Sequence, residues 1–143
     1  MNIAPMTMAD YAEALALWKA TPGIGMSRAD EPEAIARYLA RNPGMSLVAR
    51  EPAGGALVAT LLCGHDGRRG YLHHLVVRPD CRGQGVGRAL VERGLAALQA
   101  EGIDKCHLFV YKENDLGRAF WSASGWEERV YLVIMSKDIP LPV

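Results

Sequence analysis

The feature that most constrains the fold is a strand pattern that runs into a glycine-rich turn and then directly into an amphipathic helix. The apolar and β-branched run at 71–77 favours a strand, and it continues into the sequence VRPDCRGQGVGR at 77–88. A helix is predicted from about residue 85 to 101, because four apolar residues fall on one stripe there: Val86, Leu90, Leu95 and Leu98. A further strand is predicted at 106–111. Strand, helix and strand in this order indicate a right-handed crossover.

Two helices are predicted before the first long strands. Thr7 and Asp10 form a capping box for the first helix, which should end before Thr21. Asp30 is a suitable cap for the second helix, with Pro32 in its first turn, and Asn42-Pro43-Gly44 should stop it.

The remaining patterns predict strands in succession. Runs at 46–50 and 56–63 are typical of a hairpin, and the run at 71–77 extends it to an antiparallel meander. A helix at 116–123 and a last strand at 129–136 close the chain. The expected fold is α/β or α+β, with a mixed, mostly antiparallel central sheet flanked by about four helices, in a single domain over residues 1–143.

Composition excludes several classes of protein. Sixteen basic residues balance sixteen acidic ones in 143 residues, so no basic surface is expected and nucleic acid is not a favoured partner. No secretory leader pattern and no apolar run long enough to cross a membrane is present, so we expect no membrane partner. Cys63, Cys81 and Cys106 are odd in number and widely spaced, which argues against a disulfide framework and suits the reducing cytoplasm.

The glycine loop has a chemical use. Glycines let backbone N–H groups approach a ligand closely, and free amides at a helix start favour an anion such as a pyrophosphate. The loop lacks the Gly-Lys-Ser/Thr ending of a Walker A loop, and its spacing differs from a dinucleotide fingerprint. Spacing alone is equally compatible with a plain tight turn.

The sequence here resembles the GNAT superfamily of acyl-CoA-dependent N-acetyltransferases. Arg82, Gly85 and Gly87 match its signature Q/R-x-x-G-x-G/A between the fourth strand and the third helix. The residues at 75–79 resemble the family's fourth-strand ending, and Asn114 followed by Gly125-Trp126 resembles its late Asn and Gly-aromatic element. The resemblance covers nearly the whole chain, in the right order of elements.

This resemblance implies acetyl-CoA as cosubstrate and an amine as acceptor, and it leaves a homodimer open. In the family the loop amides hold the pyrophosphate, and the pantetheine arm enters where the fourth and fifth strands part. The cofactor-binding residues implied are Leu75, Val76, Val77, Arg82, Gly83, Gln84, Gly85, Val86, Gly87, Arg88, Asn114 and Trp121.

Acetyl transfer to an amine also needs a group that removes a proton. His73 is the predicted base, since its ordinary pKa of about 6.5 suits proton removal near neutral pH, directly or through water. Tyr71 is a further catalytic candidate, because it lies on the same strand face by period-two alternation. His74 should face the other side in a structural role. A packed strand histidine is the alternative for His73.

The chain departs from the family at the general acid. Where the family often has a Tyr that protonates the CoA thiolate, this sequence has Trp121, whose indole cannot supply a proton in this pH range. We expect Trp121 to pack against the pantetheine end, with a plain core role as the alternative. Tyr111, at the end of the neighbouring strand, is the fallback proton donor.

A metal site is not expected, because adjacent histidines on a regular strand point to opposite faces and cannot converge on one ion. The predicted function is N-acetyl transfer from acetyl-CoA to a primary amine by direct attack in a ternary complex, with a small-molecule acceptor. Two alternatives stay open: a protein or peptide acceptor, and a catalytically silent acyl-CoA-binding sensor.

Overall fold

The computed structural model describes residues 1–142 and contains a five-stranded sheet in the order β1-β2-β3-β4-β5. Neighbouring strands are antiparallel except β4 and β5, which are parallel and are connected through a helix. The predicted mixed, mostly antiparallel sheet is confirmed. The strands are β1 (Asn2–Pro5), β2 (Leu47–Arg50), β3 (Leu57–His65), β4 (Gly70–Val77) and β5 (Cys106–Leu108).

The first strand was not predicted. It has four residues that end in a proline, too few to show an alternation of apolar and polar side chains, and it pairs with β2 as an edge strand. Strand β5 is shorter than the predicted 106–111 and ends at Leu108.

Residues 1–142 contain four α-helices, as predicted: α1 (Tyr11–Lys19), α2 (Pro32–Arg41), α3 (Val86–Ala100) and α4 (Asp115–Ala123). The Thr7–Asp10 capping box is present, since the Thr7 N–H donates to the Asp10 carboxylate at 2.9 Å, but it caps the short turn Met8–Asp10 that leads into α1. The cap predicted for α2 is wrong. Glu31 occupies that position, while Asp30 closes a separate short turn by accepting from the Ser27 N–H at 3.0 Å.

The sheet is covered on both faces. Helices α1 and α2 lie over one face, where Trp18 and Ile35 are fully buried with Leu62 and Val76 of the sheet. Helix α3 lies against β3, and a Cβ at Gly94 would come within 3.1 Å of a Leu61 methyl group. The small residue therefore lets the α3 backbone approach the sheet closely.

The chain divides into two compact units, one covering Met1–Phe109 and the other beginning at Val110. The first contains the whole sheet and helices α1 to α3, and the second contains α4. Among the helices of residues 1–142, none combines the length and the apolar character that a membrane span requires.

The strand predicted at 129–136 is wrong. Residues 129–132 instead form a turn, in which the Leu132 N–H donates to the Arg129 carbonyl at 3.1 Å, and residues 133–142 have no regular structure. A β-branched, apolar sequence favours a strand only when another backbone pairs with it. The described part of the second unit contains no other extended segment that could be that partner.

Candidate acyl-transfer site

Strands β4 and β5 pair over only three residues. The register joins Gly70, Tyr71 and Leu72 to Cys106, His107 and Leu108. β4 continues for five more residues, and within residues 1–142 none of these has a strand partner on the β5 side. The sheet therefore opens beside residues 73–77, where the resemblance led us to expect a parting of strands.

The glycine loop follows the end of β4. A short turn at Pro79–Cys81 leads to Gly83 and Gly85, whose φ angles of +77° and +83° are in the left-handed region that favours glycine. Helix α3 begins at Val86. Within the described chain, the backbone N–H groups of residues 83–88 donate to no acceptor. These amides at a helix start can hold an anion.

Two arginines hold the start of this loop. The Arg82 Nε donates to the Val77 carbonyl at 2.9 Å, which ties the loop to the last residue of β4. Arg78 pairs with Asp80 at 2.6 Å and with Glu51 at 2.7 Å, so the turn is also held to the β2–β3 connection. Although these groups are substantially exposed, the contacts restrict the loop to one position relative to the strand.

A β-bulge interrupts β4 beside the loop. The register with β3 joins His73 to Leu62 and Val76 to Thr60, so His74 and Leu75 stand opposite a single residue of β3. His74 has a φ of +48°, which is uncommon for a residue with a side chain. The bulge changes which face the following side chains occupy.

The expectation that His73 and His74 face opposite sides is therefore wrong. Both side chains line one cavity on the side of α1 and α2. Tyr71 lies on this face too, as expected, with its ring parallel to that of His73 and the ring centroids 6.4 Å apart. Period-two alternation holds from Tyr71 to His73 and fails at the bulge.

His74 is fixed by contacts from three directions. Its Nε2 lies 2.7 Å from Asp30 Oδ1, and the two side chains are only 14% and 8% exposed. Its carbonyl accepts from the Thr60 hydroxyl at 2.8 Å, and that hydroxyl accepts from the Trp18 indole N–H at 2.9 Å. The Trp18 ring also packs against the imidazole, with centroids 4.8 Å apart.

His73 lies among aromatic rings. Tyr38 of α2 approaches it edge-on at a centroid distance of 6.4 Å, and Phe109 lies at 6.3 Å. Burial lowers the pKa of His73, the neighbouring His74 lowers it further, and Asp30 acts in the opposite direction. The net effect favours the neutral imidazole, which is the form that can accept a proton.

The cavity shared by the two histidines has a volume of about 450 Å³. Its walls come from the 25–30 connection, α2, β3 and β4. The side chains are mainly apolar or aromatic, and the charged groups among them are Asp30 and Arg37. A volume of this order suits a small organic molecule.

Three residues of the predicted site belong to the second unit. Asn114 caps α4, its side chain accepting from the Gly117 N–H at 2.9 Å. Trp121 packs against Trp126 at a centroid distance of 5.1 Å and against Phe120 at 5.0 Å. The Tyr111 carbonyl accepts from the Asn114 N–H at 3.0 Å. Their predicted contacts with the cosubstrate stay predictions.

Residues 1–142 contain no cluster of three metal-ligating side chains. The bulge removes one argument used against a metal site, since the two histidines do share a face. His65 and Asp66 lie elsewhere: His65 is the last residue of β3, and Asp66 begins the β3–β4 turn. There the Asp66 carboxylate accepts from the N–H groups of Arg68 and Arg69, both at 2.8 Å.

Sequence reasoning missed the partners of His74. Asp30 was interpreted as a helix cap, and Thr60 and Trp18 were not connected with the site. The Ser27-x-x-Asp30 spacing was visible as a capping-box pattern, which would have moved Asp30 from α2 to the preceding turn. No local signal joins residues 30 and 74.

Comparisons with known proteins support an acyltransferase. The model of the acetyltransferase (GNAT) family matches residues 12–126. An acetyltransferase of Photorhabdus laumondii is 35% identical over 120 residues, covering 80% of this chain and 78% of the relative. One of Pectobacterium atrosepticum is 41% identical over 81 residues, which is 57% of this chain and 56% of the relative.

Solved structures share the fold. The apo aminoglycoside 6'-N-acetyltransferase from Acinetobacter haemolyticus aligns with a TM-score of 0.74 and 21% identity, over 98% of this chain and 100% of that one. A predicted acetyltransferase with acetyl-CoA from Clostridium acetobutylicum gives 0.74 and 19%, over 94% and 95%. The ribosomal-protein-S18-alanine N-acetyltransferase from Escherichia coli gives 0.69 and 21%, over 87% and 76%.

Proposed function

The chain belongs to the acetyltransferase (GNAT) family and uses acetyl-CoA as cosubstrate, and we propose that it acetylates the primary amine of a small molecule by direct attack in a ternary complex. One observation carries the proposal. In the first unit, the free amides of the glycine loop and the cavity lined by His73 both adjoin the part of β4 that extends beyond β5. A thioester entering the gap would meet an acceptor held in the cavity.

The cosubstrate side consists mainly of backbone. The N–H groups of residues 83–88 would take the pyrophosphate, and Arg88 in the first turn of α3 would add positive charge beside it. The pantetheine arm would lie along Leu75, Val76 and Val77, where no strand competes for the backbone groups on the β5 side. The bond from Arg82 to the Val77 carbonyl supports the loop in this position.

The acceptor side supplies the proton chemistry. An amine arrives as an ammonium ion and must lose a proton before its nitrogen can form a bond to the thioester carbon. His73 would accept that proton directly or through water, and its lowered pKa keeps it neutral and ready to do so. Tyr71, stacked beside it, would support the imidazole ring.

The departing CoA thiolate does not require a general acid from the protein. An alkyl thiol has an ordinary pKa near 8.5, as in free Cys, so the thiolate can leave and collect its proton from water. Trp121 would orient the thioester without taking part chemically, Asn114 would assist at the cosubstrate, and Tyr111 is the reserve donor. These three assignments come from the family resemblance.

A small-molecule acceptor is favoured by the cavity, because its roughly 450 Å³ and its apolar walls suit a compact amine. A cytoplasmic setting accords with the three free cysteines, two of which are buried. The Escherichia coli structural neighbour named above acetylates a protein, so a protein acceptor is the outcome that the experiment must separate.

The experiment is a CoA-release assay with acetyl-CoA and a panel of small amines, aminoglycosides and peptides with free N-termini. We expect turnover with compact monoamines and little with peptides. Turnover confined to peptides would replace the small-molecule proposal with the protein one. Binding of acetyl-CoA by calorimetry without turnover on any acceptor would favour the silent sensor.

A further inference from the structure

His74 occupies a strained backbone position beside a cavity. Its φ of +48° carries a cost for a residue with a side chain, although histidine tolerates this region better than most. The strain persists because the Thr60 hydroxyl and the Trp18 ring hold the residue from the α1 side. Such strain is often found at functional sites, which makes His74 a candidate for more than packing.

The contact with Asp30 sets the orientation of the imidazole. Because Nε2 lies 2.7 Å from a carboxylate oxygen, the neutral ring carries its proton on Nε2 and leaves the lone pair on Nδ1. Within residues 1–142, His74 Nδ1 makes no hydrogen bond. A buried carboxylate that fixes a histidine tautomer is the arrangement by which triad enzymes prepare a base.

The surroundings of this pair are well defined. The Asp30 carboxylate also accepts from the Ser27 N–H, and its carbonyl accepts from the Tyr11 hydroxyl of α1 at 2.6 Å. Arg37 and Tyr38 of α2 line the same cavity, and so does His73, the residue before His74 on β4. Asp30 is the acidic side chain among the residues that line this cavity, and its carboxylate already accepts a hydrogen bond from His74 Nε2.

We infer that His74 is a second proton acceptor in the acyl-transfer site, and that Asp30 is the positioning residue that holds its ring. This rests on the proposed function, because it assigns a step of the same reaction. An ammonium acceptor sheds two protons during acetylation, and one proton acceptor accounts for the first alone.

After His73 has taken the first proton, the amine nitrogen forms a bond to the thioester carbon, and the carbonyl electron pair moves to oxygen. The adduct nitrogen is then positively charged, and His74 Nδ1 takes its N–H proton. The tetrahedral adduct collapses, the C–S bond breaks, and CoA leaves as a thiolate. The His74 imidazolium then returns its proton to that thiolate or to water, and the His73 imidazolium releases the first proton to water.

The test replaces His74 by glycine, which is at ease at positive φ and leaves room for a small molecule. With acetyl-CoA and the amine that the wild-type protein acetylates fastest, we expect kcat to fall by about 100-fold. Added imidazole should raise the kcat of this variant at least about tenfold, since free imidazole can take the same proton. His74→Asn, which also tolerates this backbone, should show the same loss.

His65→Gly is the matched control, because this histidine is the last residue of β3 and does not line the cavity. Its kcat should not change with or without imidazole.

Asp30→Asn should lower kcat by about tenfold with an unchanged KM for acetyl-CoA. Histidine ¹⁵N spectra of the wild-type protein should show neutral His74 protonated on Nε2 rather than on Nδ1.

The outcomes separate the two proposals. Wild-type kcat in His74→Gly and His74→Asn, a loss that imidazole does not reverse in folded protein, or a proton on Nδ1 would each overturn the assignment while leaving the proposed function intact. Absence of turnover by the wild-type protein on the whole panel would overturn both.

Discussion

The two sides of the candidate site are built in different ways. The cosubstrate side is a run of adjacent residues, 82–88, whose working groups are backbone amides at a helix start. The acceptor side brings together side chains from distant parts of the chain, as Asp30 and His74 show. On the proposed assignment, affinity for the cosubstrate depends on local backbone geometry, whereas proton transfer depends on tertiary packing. Substitutions on the cosubstrate side should therefore lower the affinity for acetyl-CoA, and substitutions on the acceptor side should lower kcat.

The largest effect is expected in the loop. Gly85→Val places a β-branched side chain at a φ of +83° and should reduce the affinity for acetyl-CoA by more than about 100-fold, because the amides lose their arrangement. Gly87→Val should act in the same direction by crowding the anion. Isothermal titration calorimetry measures both.

Gly54→Val is the control for backbone strain. Its φ is +71° and its surroundings are open, like those of Gly85, but it lies in the β2–β3 turn. It should lose stability without losing affinity. Unchanged acetyl-CoA affinity in folded Gly85→Val would show that the loop is a plain turn.

On the acceptor side, His73→Ala should lower kcat by about 100-fold near pH 7, since the amine then loses its proton acceptor. Steady-state CoA release measures this. Equal turnover by variant and wild type from pH 6 to 9 would remove His73 from the mechanism.

The pH profile sharpens the same point. Burial lowers the pKa of His73, so the neutral form persists below the ordinary pKa of about 6.5. The rate should therefore fall only as the pH drops below that value, and replacing His73 by Ala should change the position of this acidic limb. An acidic limb at the same pH in the wild-type protein and in His73→Ala would contradict the assignment.

Much of the fold was predictable because its signals are local. The glycine loop, the meander and the four helices are each predicted by a pattern of nearby residues, and the structure contains all of them. The bulge at His74 was not predictable, since it arises from contacts with Thr60 and Trp18 far along the chain. The false strand at 129–136 shows the converse error, in which a local preference has no partner to satisfy it.

A smaller effect is expected at Trp121 in the second unit. Trp121→Phe should raise the KM for acetyl-CoA several-fold and lower kcat less, because lost uniform binding appears in KM. Initial rates over a range of acetyl-CoA concentrations measure both constants. A large loss of kcat at constant KM that Trp121→Tyr reverses would instead place this residue in the transition state.

The smallest effect is expected at Tyr38, whose ring borders the acceptor cavity. Its hydroxyl is buried and bonds to no group within residues 1–142. Tyr38→Phe should leave the free energy of unfolding unchanged or raise it by up to about 1 kcal/mol, because no hydrogen bond is lost and one polar group is no longer desolvated. Urea denaturation measures this, and a loss above about 1 kcal/mol would reveal a partner for the hydroxyl.

The division of labour between the two sides is tested most directly by the acetyl-CoA dissociation constant of His73→Ala, measured by calorimetry beside Gly85→Val. If the sides act separately, His73→Ala should bind within about twofold of wild type although it turns over slowly, and Gly85→Val should give no measurable heat. A loss of affinity in His73→Ala as large as that in Gly85→Val would contradict the account.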